Sequence, residues 1–333
     1  DRNIVNTSND GSVTAGLAGV ASVGVGDGNT ILALNDGTGT VDAGLAGMLA
    51  IGIGDGNTVI ASSNGEVNSD VIGIGSLVVG DGNLVSAGNA GLVEAGVAGL
   101  VGVGIGDENI VRASNGGVVE AGLIGLGGLA YGNDSSVTIS NLSTGTVNAG
   151  LVGLLGVAVG DDNKIEVASD GDVTAGLVGL GGLAYGDGND VLVRNNATGT
   201  TSAGLAGVLG VAIGDGNAVN AANEGGVSAG LVGVGGLAVG NDNSVTVFND
   251  GTGTVNAGLA GLIGVGVGDD NGVSVTNNGD VFAGLIGAGG LAVGDNNTVD
   301  VANAGLIEAI GAGVVGVGVG DLNAVSASNS GVV

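Results

Sequence analysis

The chain has 333 residues, of which 78 are Gly, 32 are Asp or Glu and 4 are Lys or Arg, giving a formal net charge of −28. It contains no Pro, Cys, His or Trp, and aromatic residues make up 1% of it. These values exclude a disulfide framework, thiolate or imidazole metal sites, and a basic surface that would bind nucleic acid.

Hydrophobic residues reach 44%, too high a share for a disordered Gly-rich linker, so we expect the chain to fold. Asp, Asn or Ser interrupts every apolar stretch before about 18 residues, so we expect no membrane insertion. Collagen is excluded because it needs Gly at every third position and abundant Pro. The chain begins at Asp1 and not at Met, which is expected of a mature product or a fragment.

A repeat of 26 or 28 residues runs along the whole chain. With Val13 as offset 0, a partial coil covers residues 1–12 and twelve coils follow. The coils start at residues 13, 41, 67, 93, 119, 147, 173, 201, 227, 255, 281 and 307. Such self-similarity predicts an all-β, single-chain parallel β-solenoid (β-helix) with two to three short strands per coil. We expect one continuous array over 1–333, and no polar cap is visible at either end.

The first half of each coil is apolar at nearly every position. Offsets 4, 7, 10 and 12 are almost always aliphatic, as in Leu151, Leu154, Val157 and Val159, and are predicted to point inward. Offset 6 is Gly in every coil, and the phase slip around it predicts a Gly-assisted bend or bulge between two short strands. The intervening offsets 5, 8 and 11 are also apolar, so this side of the coil is expected to be covered.

Offset 8 alternates between large and small residues from coil to coil, while offset 5 partly compensates. This pattern predicts ridges and grooves about 9.6 Å apart, twice the strand spacing. We therefore predict an assembly face for a second copy of the chain, because monomers rarely expose so large an apolar patch. The alternative is that a segment of the same protein outside this sequence covers the face. Its predicted residues are Leu155, Leu209, Ile263, Val315, Val178, Val232 and Ile286.

A Gly-Asp turn follows, with Gly at offset 13 in every coil and Asp at offset 14 in ten of twelve. A column of carboxylates about 4.8 Å apart would be relieved by a bound cation, and Ca²⁺ prefers oxygen ligands. The alternative is a tight turn that favours Gly and Asp for backbone reasons. The candidate calcium ligands are Asp27, Asp55, Asp81, Asp107, Asp161, Asp187, Asp215, Asp269, Asp295 and Asp321.

The second half of the coil alternates strictly. Offsets 18 and 20 are aliphatic, offset 22 is Asn or Ser, and offsets 17, 19 and 21 vary freely, which indicates a half-buried strand. Asn also recurs at offset 16, and stacked amides at both strand ends are expected to form inward ladders. The offset 16 ladder comprises Asn29, Asn57, Asn83, Asn109, Asn163, Asn189, Asn217, Asn243, Asn271, Asn297 and Asn323.

Two segments resemble known secreted repeats. Residues 186–193, Gly-Asp-Gly-Asn-Asp-Val-Leu-Val, resemble the calcium-binding nonapeptide repeat of RTX-type proteins. The pattern from Gly214 to Asn223, which recurs in every coil, is similar to the turn and strand of curli-type functional amyloid repeats. The second resemblance implies an extracellular cross-β or solenoid fibre.

We expect no enzyme activity and no cofactor other than Ca²⁺, since no His or Cys is present and Ser has no base to activate it. The expected function is a structural segment of an extracellular or cell-surface fibre, assembled from its own copies by axial stacking and lateral pairing, with attachment to a cell surface or matrix. The alternative is the stalk or ligand-binding rod of a large repetitive adhesin that binds calcium. An ice-binding rod is a weaker alternative, because offsets 17, 19 and 21 form no regular Thr array.

Overall fold

The chain is an all-β parallel β-solenoid of about 13 turns, with three strands in each coil. The structure is a computed structural model that describes residues 2–333, so the assignment of Asp1 to the partial coil lies outside the described residues. Two compact units divide the chain, residues 1–164 and 165–333. Both carry the same coil, and the expected continuity of the array from one to the other stays a prediction.

The strands recur in the same order in each coil, with lengths of four, eight and six residues. The first unit contains β1 Ile4–Asn9, β2 Ser12–Ala15, β3 Ala18–Val25, β4 Thr30–Asn35, β5 Thr40–Ala43, β6 Ala46–Ile53, β7 Thr58–Ser63, β8 Glu66–Ser69, β9 Ile72–Val79, β10 Leu84–Asn89, β11 Leu92–Ala95, β12 Ala98–Ile105, β13 Ile110–Asn115, β14 Val118–Ala121, β15 Ile124–Tyr131, β16 Ser136–Asn141, β17 Thr146–Ala149 and β18 Val152–Val159.

The second unit, whose first strand starts one residue before its boundary, repeats this pattern. It contains β19 Lys164–Ser169, β20 Asp172–Ala175, β21 Val178–Tyr185, β22 Asp190–Asn195, β23 Thr200–Ala203, β24 Ala206–Ile213, β25 Ala218–Asn223, β26 Gly226–Ala229, β27 Val232–Val239, β28 Ser244–Asn249, β29 Thr254–Ala257, β30 Ala260–Val267, β31 Gly272–Asn277, β32 Asp280–Ala283, β33 Ile286–Val293, β34 Thr298–Asn303, β35 Leu306–Ala309, β36 Ala312–Val319 and β37 Ala324–Asn329.

Equivalent strands of successive coils pair side by side and form three parallel sheets in each unit. Sheet A holds the six-residue strands at offsets 17–22, sheet B the four-residue strands around offset 0, and sheet C the eight-residue strands at offsets 5–12. Each residue lies beside the same offset of the next coil, as in Val85 beside Val111, Val93 beside Val119, and Leu100 beside Leu126. Every side chain therefore belongs to a column.

The interior is thin and aliphatic. Sheet A contributes offsets 18 and 20, such as Ile31 and Ala33, both 0% exposed. Sheet B contributes offset 0, and sheet C contributes offsets 7, 9 and 11. Offsets 9 and 11 are small because the opposite sheet lies close. A Cβ at Gly128 would lie 2.5 Å from the Ile139 Cδ1 atom and 2.7 Å from the Val137 Cγ1 atom.

Sheet C corrects the predicted inward and outward positions. The predicted pair of short strands is one eight-residue strand, although its register passes over the Gly at offset 6, between Ala98 and Leu100 for example. The predicted inward placement of offsets 4, 10 and 12 is wrong, since Leu123 and Ile105 are 42% and 40% exposed. The predicted outward placement of offset 11 is also wrong, since Ala130 is 0% exposed. Both faces of the strand are apolar, so hydrophobicity does not indicate which of its residues point inward.

Candidate assembly interface

The outward side of sheet C is apolar in every coil. We call it the sheet C face and define it as the side chains at offsets 4, 5, 8, 10 and 12, none of which is charged in any of the twelve coils. In the coil that starts at residue 227, Leu231 is 44% exposed and Val239 is 36% exposed. Tyr131 and Tyr185 are each 60% exposed. This degree of apolar exposure is unusual for a sheet that faces water.

The seven residues predicted for the assembly face lie in this surface. Leu155 belongs to the first unit, the other six to the second, and all are half-buried. Sequence reasoning missed the most exposed members of the face, at offsets 4, 10 and 12. The sequence signal that could have found them is the restriction of offsets 9 and 11 to small side chains, mostly Gly and Ala. Only inward positions in a thin interior need such small residues, so the neighbouring offsets 10 and 12 point outward.

The ridges and grooves predicted from offset 8 are partly levelled by neighbouring side chains. Gly235 is buried even though its position points outward. A Cβ placed on it would lie 3.2 Å from the Leu209 Cδ1 atom, 3.3 Å from the Val232 Cγ1 atom and 3.7 Å from the Ile263 Cγ2 atom. Large side chains at offsets 5 and 8 thus close over the small ones, and the face is smoother than the sequence pattern alone predicts.

The Asp column at offset 14 borders sheet C at the ends of its strands. All ten of these Asp residues are exposed. Most of their Oδ1 atoms accept hydrogen bonds from the backbone N–H groups of the next coil, as Asp27 does from Asp55 at 3.0 Å and Asp55 from Asp81 at 2.9 Å. The carboxylates therefore stabilise the stacked turns, which is the chemistry expected of the tight-turn alternative.

The turn itself requires glycine at offset 13. Gly214 has φ +135°, and a Cβ there would lie 2.1 Å from the carbonyl oxygen of Gly186 in the preceding coil. The residue at offset 15 lies in the left-handed region, and Glu108 adopts it at φ 56°. Such a conformation is costly for residues other than Gly, Asn and Asp, and at offset 15 most coils carry one of these three.

The Asn column at offset 16 is buried, and its bonds run mainly from backbone N–H to side chain, although the Nδ2 atom of Asn3 donates to the Oδ1 atom of Asn29 at 3.1 Å. Ten of its eleven residues are at most 2% exposed, and Asn323 in the last coil is half-buried. The backbone N–H of Asn57 donates to the Oδ1 atom of Asn83 at 2.7 Å, and that of Asn217 donates to Asn243 at 2.8 Å. In some coils the side-chain amide donates to a glycine carbonyl, as Asn109 does to Gly106 at 2.8 Å. The column thus links side chains to backbone.

The Asn column at offset 22 forms a side-chain ladder. The Nδ2 atom of Asn223 donates to the Oδ1 atom of Asn249 at 2.8 Å, and Asn249 donates to Asn277 at 2.8 Å. Each amide also donates to a nearby glycine carbonyl, as Asn223 does to Gly225 at 3.0 Å. These bonds satisfy buried polar groups at the end of every sheet A strand.

Other kinds of site find little support in the described residues. Among residues 2–333, no three His, Cys, Asp or Glu side chains gather closely enough to hold a metal ion. That same part of the chain contains no apolar helix of the length needed to cross a membrane. The calcium assignment therefore stays a prediction, and the sheet C face is the surface that most needs an explanation.

Comparison with known proteins gives no assignment, since no family model, no curated protein and no solved structure matches this chain.

Proposed function

We propose that this chain is a structural segment of an extracellular or cell-surface fibre, in which copies pair laterally through the sheet C face and stack axially coil on coil. The observation that carries the proposal is the absence of charge from the sheet C face in all twelve coils. The chain as a whole carries a net charge of −28. Five offsets that stay uncharged in every coil therefore indicate a surface that is kept from water.

The area of this face is that of an interface. The second unit contributes six sheet C strands of eight residues, which cover about 29 by 26 Å, or roughly 750 Å². A stable protein interface buries about 800 Å² on each partner. Burying half of the face at about 25 cal/mol per Å² would contribute roughly 9 kcal/mol per copy before the costs of association.

The in-register columns support axial assembly as well. Each coil presents to the next the same strand edges, the same Asp carboxylates and the same Asn amides, so a coil recognises another coil by groups that every coil carries. A fibre subunit and a single adhesin stalk both use this stacking. They differ in lateral pairing, which the fibre has and the stalk lacks.

The test places charge on the sheet C face. Leu155→Asp, Leu209→Asp and Ile263→Asp in one variant should leave the coils intact, because these side chains point outward, and should abolish pairing, because it would bury unpaired charges. Circular dichroism reports the fold, and mass per length from electron microscopy reports pairing.

The matched control adds the same charges to sheet A in the same three coils, as Ala168→Asp, Ala222→Asp and Thr276→Asp. This variant should assemble like the unmodified chain. If the sheet C variant still forms filaments of unmodified width, lateral pairing through this face is wrong and the single stalk becomes the better account.

A further inference from the structure

The sheet C face of the second unit has one acidic edge and one nearly uncharged edge. The strands end at turns whose offsets 14 and 15 carry seven exposed acids: Asp187, Asp215, Asp242, Asp269, Asp270, Asp295 and Asp321. The strands begin beside offsets 3 and 4, which are Gly and Leu except in the last coil. Beyond these, the outward positions of sheet B carry three exposed acids in this unit, Asp172, Asp280 and Glu308.

Cations are scarce in the second unit. Arg194 is the one Lys or Arg between residues 165 and 333. It lies on sheet A, where its Nη2 atom is 2.8 Å from the Oε1 atom of Glu166. When two copies bring their sheet C faces together, the placement of the two acidic edges therefore decides the orientation.

Two copies related by a twofold axis can pair these faces in two ways. If the twofold axis is perpendicular to the coil axes and along the strands, the coil axes are antiparallel and the two acidic edges meet. Packed sheets lie about 10 Å apart, close to the Debye length of about 8 Å at physiological salt, so the facing carboxylates would repel.

If the twofold axis is parallel to the coil axes, each acidic edge lies opposite the Gly and Leu edge of the other copy. The two acidic edges are then separated by the strand length, about 26 Å, well beyond the Debye length. Both arrangements bring the same two apolar faces together, and electrostatic repulsion between the acidic edges favours the second.

Resting on the proposed function, we infer that two copies pair with their coil axes parallel, each coil facing the same coil of the other copy. The strands of the two faces then run antiparallel. Offset 8 lies near the middle of each strand, so Leu209 meets Leu209 and Ile263 meets Ile263. At the edges, Leu231 of one copy meets Val239 of the other. A fibre built from such pairs has two different ends.

Single cysteines test this arrangement, because the chain contains no Cys. Leu209→Cys and Ile263→Cys mark the middle of the face in two coils. Leu231→Cys and Val239→Cys mark the two edges of the coil between them. Packed sheets lie about 10 Å apart, beyond the roughly 7 Å between Cα atoms that a disulfide allows, so a short bismaleimide thiol cross-linker reports which positions face each other.

We expect Leu209→Cys alone and Ile263→Cys alone to give cross-linked dimers with the short bismaleimide. Each edge variant alone should give little, and an equal mixture of the two should give about tenfold more dimer, since like edges lie about 26 Å apart and only unlike edges come within the reach of the cross-linker. Circular dichroism of the reduced variants checks that the coils are intact.

The opposite pattern overturns the inference: each edge variant cross-links with itself, and Leu209→Cys cross-links only with Ile263→Cys. In that case the proposed function stands, because the faces still pair. Analytical ultracentrifugation of the reduced variants separates the two failures. Monomers alone would overturn lateral pairing itself, and pairs without any cross-link would overturn the parallel arrangement in which each coil faces the same coil.

Discussion

Sheets A and C are built from the same coils, yet their outward faces follow different rules. Sheet A presents Lys164, Glu166 and Arg194 among Ser, Thr, Asp and aliphatic residues, with no fixed type at any outward offset. Sheet C presents uncharged, mainly aliphatic residues in every coil. Both faces are equally compatible with the stacking of coils. The fold therefore does not require the apolar face, and its uniformity needs another cause, which we place in assembly.

The largest expected effect is a loss of stability when a residue on the inward side of sheet A is changed, compared with a residue on its outward side. Asn223→Leu removes a rung of the offset 22 ladder, so the amide of Asn195 and the Oδ1 atom of Asn249 each lose a partner. Unsatisfied buried groups cost about 1 to 3 kcal/mol each, so we expect the free energy of unfolding to fall by roughly 3 kcal/mol. Urea denaturation followed by circular dichroism measures it.

The control lies in the same strand. Asn220 points outward and is half-buried, so Asn220→Leu should change the free energy of unfolding by less than about 0.5 kcal/mol. Equal losses in the two variants would contradict the assignment of the ladder to the inward side.

A smaller effect compares small residues on the two outward faces. Gly235 of sheet C is enclosed by Leu209 and Val232, whereas a Cβ at Gly272 of sheet A would meet nothing within 4 Å. Gly235→Val should therefore destabilise the chain by about 1 kcal/mol through overpacking. Gly272→Val should stabilise it by roughly 0.5 kcal/mol, because Val suits a strand better than Gly.

Thermal unfolding of both glycine variants in parallel measures the difference, with unmodified chain as the reference. A stabilising Gly235→Val would show that the side chains around it leave room, and that the grooves predicted from the sequence are open after all.

The smallest expected effect concerns the charged border between the two sheets. The Asp column already accepts backbone hydrogen bonds, so added salt should raise the melting temperature by screening alone, to the same extent in CaCl₂ and KCl at equal ionic strength. A rise specific to calcium and reversed by a chelator would instead establish the column as a cation site.

The glycine turn and sheet A were predictable from single residues. Gly214 is needed wherever the chain turns with a positive φ, and the strict alternation from Asn217 to Asn223 can fit only a strand with one wet side. The partners of Asn217 were not predictable. The type and position of Asn217 indicate that its side chain is buried. Whether this side chain accepts a hydrogen bond from the side-chain amide or from the backbone N–H of the neighbouring Asn depends on the local path of the turn.

The sequence by itself determined the repeat, the parallel in-register stacking and the half-buried strand of sheet A, because each depends on periodicity alone. Tertiary structure decided which way offsets 4, 10, 11 and 12 of sheet C point. Leu129 and Ala130 are both apolar and adjacent, and only the approach of sheets A and B shows that Ala130 lies inside, at 0% exposure. Because both sides of this strand are apolar, hydrophobicity does not indicate which side faces inward. The narrow space between the sheets does indicate it, because only small residues fit there.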